Sequence, residues 1–300
     1  MTRARDVYTD MKLLSALVAA VAASSLAAAA SSVEPAAQEL AFARGQTIHS
    51  VHADGTGLRT ITRGHSPAWS PDGRRLAFVR ERGRNADVYV ADSAGRNVRR
   101  LTSAPSLEYS PSWSPDGRRI AFASNRDGRF RIYVIRADGR GARRISPRGA
   151  AGDSHSPSWS QDGRLIAFSS SHATPENPEI YVVRPDGSGL KRLTRTRGGV
   201  EVLGDDGWPC WSPDGTRIVF SSNRAGNGEI WIMRADGSGQ RRLGGLARRD
   251  DWAPAFSPDG TEIAFHSLDA RGRSLLYAVR PNGTGLRSLG AGTNPAWRPS

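Results

Sequence analysis

A seven-residue motif recurs five times along the chain, and its regular return predicts an all-β fold, a six-bladed β-propeller with four-stranded antiparallel blades. One copy reads Pro111-Ser112-Trp113-Ser114-Pro115-Asp116-Gly117 and leads into Ile120-Ala121-Phe122. Successive copies are about 45 residues apart, which is the period of an architecture that stacks one small sheet per repeat. The other copies begin at Pro67, Pro157, Pro209 and Pro254.

The last four residues of the motif predict a tight turn between two strands. In Ser114-Pro115-Asp116-Gly117, proline fixes φ at the second position of a type I turn. Glycine then takes the positive φ that closes a bulged hairpin. A first strand therefore ends near Trp113, and a second strand carries Ile120 and Phe122 on one face.

Two further strands complete each repeat. Segments rich in β-branched and aromatic residues, such as 131–135 and 229–233, predict third strands. An Asp-Gly or Asn-Gly pair follows, which is the strongest short hairpin signal. A fourth strand such as 191–194 then ends the repeat. Four strands per repeat make one propeller blade.

The two ends of the chain complete each other. Residues 294–300 have the sequence of a first strand, whereas 39–43, 47–51 and 59–62 have those of the second, third and fourth strands. Five internal blades and one shared blade give six. The propeller is predicted to span 39–300 and to close by pairing of its terminal strands, which removes the exposed edges of an open array.

Residues 1–30 have the pattern of a signal peptide. The run 13–30 contains only Leu, Val, Ala and Ser, follows Lys12, and ends in small residues suited to signal peptidase. Met11 is an alternative start, because 1–10 adds charges that such a leader does not need. A retained membrane anchor is disfavoured by the alanine content. We predict a short linker at 31–38, no transmembrane segment in the mature chain, and an exported protein that is periplasmic, envelope-associated or secreted.

The chain is basic, with a net charge of +13, and Lys12 and Lys191 are its only lysines. Arginine pairs recur at fixed blade positions, as at Arg99-Arg100. This regularity favours a solvated rim over a nucleic-acid surface, so no nucleic-acid partner is expected. Binding of an anionic cell-wall polymer through the arginine-rich surface stays an alternative.

Cys210 is the one cysteine, so the chain has no intramolecular disulfide. It occupies a position near the propeller axis where the other repeats carry only small residues. We therefore predict a packing role for Cys210. The equivalent residues are Ala68, Ser112, Ser158, Ala255 and Ala296.

The ordered series Pro-x-Trp-Ser-Pro-Asp-Gly, Ile-Ala-Phe, Ile-Tyr-Val, Asp-Gly and Arg-Leu-Thr resembles the WD40-like repeats of TolB-type β-propellers over 39–300. The departures are small, with Gln161 in place of Pro and Phe256 in place of Trp. The resemblance implies an exported propeller that binds other proteins. We expect the chain to lack the N-terminal α/β domain of TolB, so the resemblance does not imply membership of a Tol–Pal system.

No recognisable catalytic motif is present. The sequence has neither a Gly-x-Ser-x-Gly elbow nor a His-Glu-x-x-His helix, and the Ser and Asp of Ser-Pro-Asp-Gly are turn formers. The Asp-Gly-Ser-Gly runs at 186–189 and 236–239 lack the spaced carboxylates of a calcium loop. We expect no enzyme activity, no catalytic residue and no cofactor.

The candidate site is the mouth of the central channel, where propellers commonly bind their ligands. The loop before each first strand should reach this opening, and its residues differ from repeat to repeat. Crowded carboxylates there should repel unless a cation or a basic partner lies among them. The candidate binding residues are His65, Glu108, Tyr109, Asp153, His155, Asp206, Trp208, Asp251, Trp252 and Asn294.

Three interpretations of this mouth are open. In the first, the acids only cap turns and bond backbone amides between blades. In the second, a tail or loop of a protein binds there, with aromatic anchors and with acids facing basic groups. In the third, His65, His155 and acids hold a divalent cation in a metal-dependent carbohydrate-active enzyme such as a propeller-type lyase. We predict a monomeric, non-catalytic scaffold that binds an envelope or extracellular protein.

Overall fold

The computed structural model describes residues 38–147, 152–173, 177–196, 206–243, 250–269 and 271–299. These residues form 24 strands in six four-stranded antiparallel sheets, which confirms the predicted propeller. The predicted signal peptide, the alternative start and 31–37 of the predicted linker lie outside the described residues. In the described part of the chain, no helix has the length and hydrophobicity of a membrane span.

Each sheet is one blade, and the first strands of all six line a common channel of about 300 Å³. Blade 1 contains β1 (Glu39–Arg44), β2 (Thr47–His52), β3 (Arg59–Arg63) and, as its innermost strand, β24 (Thr293–Trp297). Blade 2 contains β4 (His65–Trp69), β5 (Arg75–Arg82), β6 (Asn85–Asp92) and β7 (Arg99–Arg100). Blade 3 contains β8 (Glu108–Trp113), β9 (Arg119–Ser124), β10 (Arg131–Arg136) and β11 (Arg143–Arg144).

The remaining three blades have the same order from the channel outward. Blade 4 contains β12 (Ser154–Trp159), β13 (Ile166–Ser170), β14 (Glu179–Val183) and β15 (Lys191–Arg192). Blade 5 contains β16 (Asp206–Trp211), β17 (Arg217–Ser222), β18 (Glu229–Arg234) and β19 (Arg241–Arg242). Blade 6 contains β20 (Asp250–Phe256), β21 (Ile263–Leu268), β22 (Ser274–Val279) and β23 (Arg287–Ala291).

The predicted closure is confirmed. Strand β24 pairs with β1 through Leu40 opposite Trp297 and Ala41 opposite Ala296. Beyond the strand, the Arg298 amide donates to the Glu39 carbonyl at 2.7 Å, and its guanidinium contacts the Glu39 carboxylate at 2.7 Å. The last strand of the chain thus completes the blade that the first strands begin.

Several fourth strands are shorter than predicted, because a side chain replaces part of the backbone ladder. In blade 4 the strand ends at Arg192, and the hydroxyl of Thr194 accepts from the Ile180 amide at 2.9 Å. Thr102 and Ser146 accept in the same way in blades 2 and 3. The Thr of the Arg-Leu-Thr series therefore caps the third strand.

Each Ser-Pro-Asp-Gly turn is closed by its serine. In blade 5 the Ser212 hydroxyl donates to Asp214 and accepts from the Arg217 amide at 2.9 Å, while Gly215 adopts a φ of 69° as predicted. The hydrogen bond from Ser212 lowers the pKa of Asp214 from 3.8 to about 2. The turn therefore favours an ionised aspartate.

We expect Ser212→Ala to lower the free energy of unfolding by about 1–3 kcal/mol at pH 7, since it leaves the Arg217 amide without its acceptor. Because the pKa of Asp214 is lower in the folded chain, its stabilisation is present above about pH 4 and is lost as the pH falls toward 2. Urea unfolding at several pH values measures both effects. Ser288→Ala, on the exposed outer strand, is the control, and an equal loss in both variants would contradict this role.

Basic pairs on β7, β11, β15 and β19 hold the rim of the propeller together. The first residue of each pair donates to a hairpin carbonyl of the next blade: Arg99 to Asp138, Arg143 to Pro185, Lys191 to Asp236, and Arg241 to Pro281. The second forms an ion pair within its own blade: Arg100 with Asp87, Arg144 with Asp127, Arg192 with Glu179, and Arg242 with Glu229. These contacts explain why the pairs recur at fixed positions.

Candidate functional site

A bulge bends the innermost strand of every blade where the strand enters the channel. One non-glycine residue in each strand has a φ near 50°, a region that is uncommon for such residues, and a proline follows it. The pairing with the second strand shifts register in blades 2 to 6 at this point. The six residues are Ser66, Ser110, Ser156, Trp208, Ala253 and Asn294.

Most of the candidate residues lie at a different place from the one predicted, because the inner strand continues beyond the bulge. The sequence predicts these residues on loops before the first strands, but all except Asp153 lie inside those strands. Pairing resumes on the far side of each bulge, as in His65 opposite Val79 and Glu108 opposite Ser124. The inner strand therefore reaches the mouth itself.

A cavity of about 870 Å³ lies beside the channel and brings together five candidate residues from three blades. These residues are Asp153, His155, Asp206, Trp208 and Trp252. The exposed Arg129 and the hydroxyl-bearing Ser169 and Ser171 also line this cavity, although none of them is among the candidates predicted from the sequence. We call this space the mouth cavity.

Two tryptophans from neighbouring blades meet at the mouth cavity. The rings of Trp208 and Trp252 are 5.3 Å apart between centroids and cross at 60°. Trp208 is 40% exposed and lies at the left-handed bulge position, where the other blades have Ser, Ala or Asn. Trp252 packs over Gly228, where an added Cβ would lie 2.6 Å from the indole ring. The absence of a side chain at Gly228 therefore makes room for the indole.

A second aromatic series crosses blades 2, 3 and 4 at the same end of the channel. The ring centroids of His65 and Tyr109 are 6.0 Å apart, those of Tyr109 and Phe130 are 5.9 Å apart, and those of Phe130 and His155 are 4.6 Å apart. Burial lowers the pKa of both histidines, so they are neutral at pH 7. Phe130 directly precedes a third strand and is not among the candidates predicted from the sequence.

Two of the predicted acids are buried and paired rather than crowded together. Glu108 and Asp206 are 0% exposed. Arg126 contacts the Glu108 carboxylate, and Arg224 contacts that of Asp206 at 2.6 Å. Asp251 is also fully buried. Glu108 and Asp206 therefore meet the exception in that expectation, because each has a basic partner, an arginine within its own blade.

Other acids accept hydrogen bonds from backbone amides of the preceding blade, as the first of the three interpretations predicts. Asp153 accepts from the Phe130 amide at 2.9 Å, and Asp250 accepts from the Gly228 amide at 3.0 Å. Asp153 thus fixes blade 4 against blade 3 while also lining the mouth cavity.

The channel wall consists mainly of small residues and prolines, together with the aromatic side chains of Trp69, Trp113, Trp208, Phe256 and Trp297. Asn294 lines it, and its backbone amide is 3.5 Å from Nδ1 of His266. Cys210 also lines the channel and packs against the core between blades 5 and 6, in keeping with the predicted packing role. Burial raises the pKa of its thiol to about 11, which leaves the unreactive thiol form at neutral pH.

A metal site would need several ligands within reach of one ion. The described residues contain no group of three or more His, Cys, Asp or Glu side chains arranged to hold a metal. His65 belongs to blade 2, and His155 belongs to blade 4. The described residues therefore offer no ligand set for the divalent cation of the third interpretation.

A family model described as the TolB beta propeller domain matches residues 53–198, 149–246 and 197–300. The Tol-Pal system protein TolB of Thioalkalivibrio sulfidiphilus (strain HL-EbGR7) is 49% identical over 55 residues, which cover 17% of this chain and only 13% of that relative.

Solved structures show the same architecture. TolB from Acinetobacter baumannii has a TM-score of 0.75 at 24% identity, with 88% of this chain and 67% of that chain covered. A putative TolB from Agrobacterium tumefaciens has a TM-score of 0.69 at 24% identity, with 87% and 92% covered. A nidogen/laminin complex has a TM-score of 0.70 at 12% identity, with 87% and 98% covered, so the fold alone is shared. The family match covers most of the chain, which belongs to the TolB beta propeller domain family.

Proposed function

We propose that the chain is an exported, non-catalytic propeller that binds a tail or loop of another protein in the mouth cavity. The observation that carries this proposal is Trp208. A large aromatic side chain stands there in left-handed backbone, 40% exposed, at a position that Ser, Ala or Asn fills in the other blades.

The side chain of Trp208, rather than its backbone conformation, supports a binding role. The equivalent residue has a φ near 50° in every blade, but the other blades carry only Ser, Ala or Asn there, so the framework does not require an indole at this position. Exposing a tryptophan adds no core packing. Tryptophan is, however, among the residues that contribute most to protein interfaces when a partner buries them.

The mouth cavity also offers the polar groups that orient a bound segment. Arg129, Asp153, Ser169 and Ser171 are among the residues that line it. A cavity of about 870 Å³ between apolar rings and a few polar groups has the character of a ligand site. A short segment with one apolar anchor and a charged or amide group fits this lining.

Export and an envelope setting complete the proposal. The uncharged run at 13–30 after Lys12 supports a signal peptide. One relative is named a Tol-Pal system protein, which makes an envelope protein a reasonable class of partner. The lyase alternative lacks a ligand set in the described residues, and the arginine pairs of the rim are engaged in contacts between and within blades.

Trp208→Ala is expected to lower partner affinity at least about tenfold, the scale of a lost aromatic anchor. Tagged protein 31–300 is used to capture proteins from envelope extracts, which mass spectrometry identifies. The affinity of each purified candidate is then measured by calorimetry. Leu286→Ala is the control, because Leu286 is also 40% exposed but lies outside the mouth cavity. Equal affinity of the Trp208 variant and the wild type would overturn the proposed site.

A further inference from the structure

We propose that a second cleft, on the rim between blades 1 and 2, binds a phosphate group that carries two negative charges. The cleft has a volume of about 570 Å³ and is separate from the mouth cavity. Six residues line it: Gln46, Arg63, Arg80, Glu81, Arg82 and Tyr89. Their charges sum to an excess of two positive charges. We call it the arginine cleft.

Arg80 occupies a place that arginines also fill in blades 3 and 5. In each of these blades a guanidinium lies over the phenylalanine of the second strand and the aromatic residue of the third. Arg80 is 5.1 Å from the Phe78 ring and 5.4 Å from the Tyr89 ring. Arg126 and Arg224 stack likewise in blades 3 and 5.

The difference lies in the partner of the guanidinium. Arg126 and Arg224 neutralise Glu108 and Asp206, each five residues before the tryptophan of its inner strand. In blade 2 the equivalent residue is Gly64. An added Cβ there would lie 2.6 Å from the Val79 carbonyl oxygen and 2.7 Å from the Phe78 ring. No acid fits at this position. The framework of blade 2 therefore leaves Arg80 without the carboxylate that pairs with the equivalent arginine in blades 3 and 5.

Arg80 is nevertheless held in place. Its Nε donates to the Arg63 carbonyl at 2.7 Å, and its Nη2 donates to the Thr62 hydroxyl at 2.8 Å. A guanidinium has five N–H groups, so these two bonds leave donors for a ligand. A rigid cation with free donors loses little entropy on binding an anion.

The other two arginines of the cleft complete the site. Arg63 and Arg82 are exposed, and no ion pair joins either to a described residue. Guanidinium groups match the oxygens of phosphate in paired hydrogen bonds. A phosphate monoester has two charges and at least three oxygens for three arginines, whereas a carboxylate has one charge and two oxygens. The phosphate dianion therefore fits the arginine cleft better.

A substitution of Glu81 tests the site by a gain in phosphate affinity rather than a loss. Its carboxylate lines the cleft and is half exposed, with 51% of the side chain accessible. Replacing it with glutamine removes the one negative charge from the lining. Glu81→Gln should therefore strengthen phosphate binding by about fivefold, the effect of roughly 1 kcal/mol of charge interaction near a surface.

The experiment is calorimetric titration of inorganic phosphate at pH 8 and low ionic strength into wild-type protein, Glu81→Gln and the double variant R63A/R82A. We expect the double variant to lose about tenfold or more in affinity. The control R74A/R118A removes the same charge from exposed arginines at the opposite end of blades 2 and 3. An equal loss in the control would show a general charge effect and overturn the proposal.

Two further arms identify the ligand chemistry. Acetate and dimethyl phosphate each have one negative charge, so both should bind at least about fivefold more weakly than phosphate. Acetate or the diester binding as tightly as phosphate would overturn the assignment to a dianion. Absence of phosphate binding to the wild type would overturn the site itself.

Discussion

Replacing Arg224 with leucine is expected to lower the free energy of unfolding by about 3–5 kcal/mol, because it leaves a buried carboxylate without its cation. Asp206 is 0% exposed, and the Arg224 guanidinium contacts it at 2.6 Å. The same guanidinium also donates to Gln240 and stacks 4.7 Å from the Trp231 ring. Urea unfolding of the purified variant measures the loss.

A double variant separates charge from packing. In R224L/D206N no unpaired charge is left at position 206, so this protein should be more stable than R224L alone. Arg234→Leu is the matched control, since Arg234 is exposed and its guanidinium lies 3.5 Å from the Ser238 hydroxyl. It should cost less than about 0.5 kcal/mol. A loss in R224L as small as that in R234L would contradict the buried ion pair.

Deleting residues 294–300 is expected to abolish the single cooperative unfolding transition of the propeller. The deletion removes most of β24, so β1 loses its partner and blade 1 no longer closes the ring. It also removes Trp297, which is 6% exposed, and the contact of Arg298 with Glu39. Calorimetry of the shortened chain beside the full chain shows whether a single transition persists.

A point variant keeps this prediction testable if the shortened chain does not fold. Trp297→Ala should cost about 3–5 kcal/mol, as for other buried aromatic residues. Trp208→Ala, at an exposed tryptophan of the channel wall in blade 5, should cost less than about 1 kcal/mol. Equal stability of the shortened and full chains, or equal losses in the two tryptophan variants, would show that the terminal strand does not close the ring.

The blades were predictable because their signals are local and repeated. Proline and glycine fix the backbone of each Ser-Pro-Asp-Gly turn within four residues, and the aromatic and β-branched runs mark strands. The closure was predictable because the missing strand of one end is present at the other. The ends of the fourth strands were not, because the Thr194 hydroxyl takes over a backbone bond that no strand pattern shows.

The mouth was only partly predictable. Its aromatic residues could be found because they vary between repeats, but the direction of the acids depends on a partner in the turn that follows the next strand. Glu108 with Arg126 and Asp206 with Arg224 have the same separation of 18 residues, and an Asn precedes each arginine. That shared spacing was the available signal for buried pairs. Contacts between blades, such as Phe130 with His155, leave no such spacing.

Site-specific photo-crosslinking tests the central proposal, that the mouth cavity binds a protein. A photoreactive phenylalanine analogue replaces Trp208 in one full-length chain and Leu286 in another, and both are expressed in cells of the source organism. We predict a discrete protein adduct from position 208 and none from position 286. An adduct of the same protein from both positions, or none from position 208, would contradict binding at the mouth cavity.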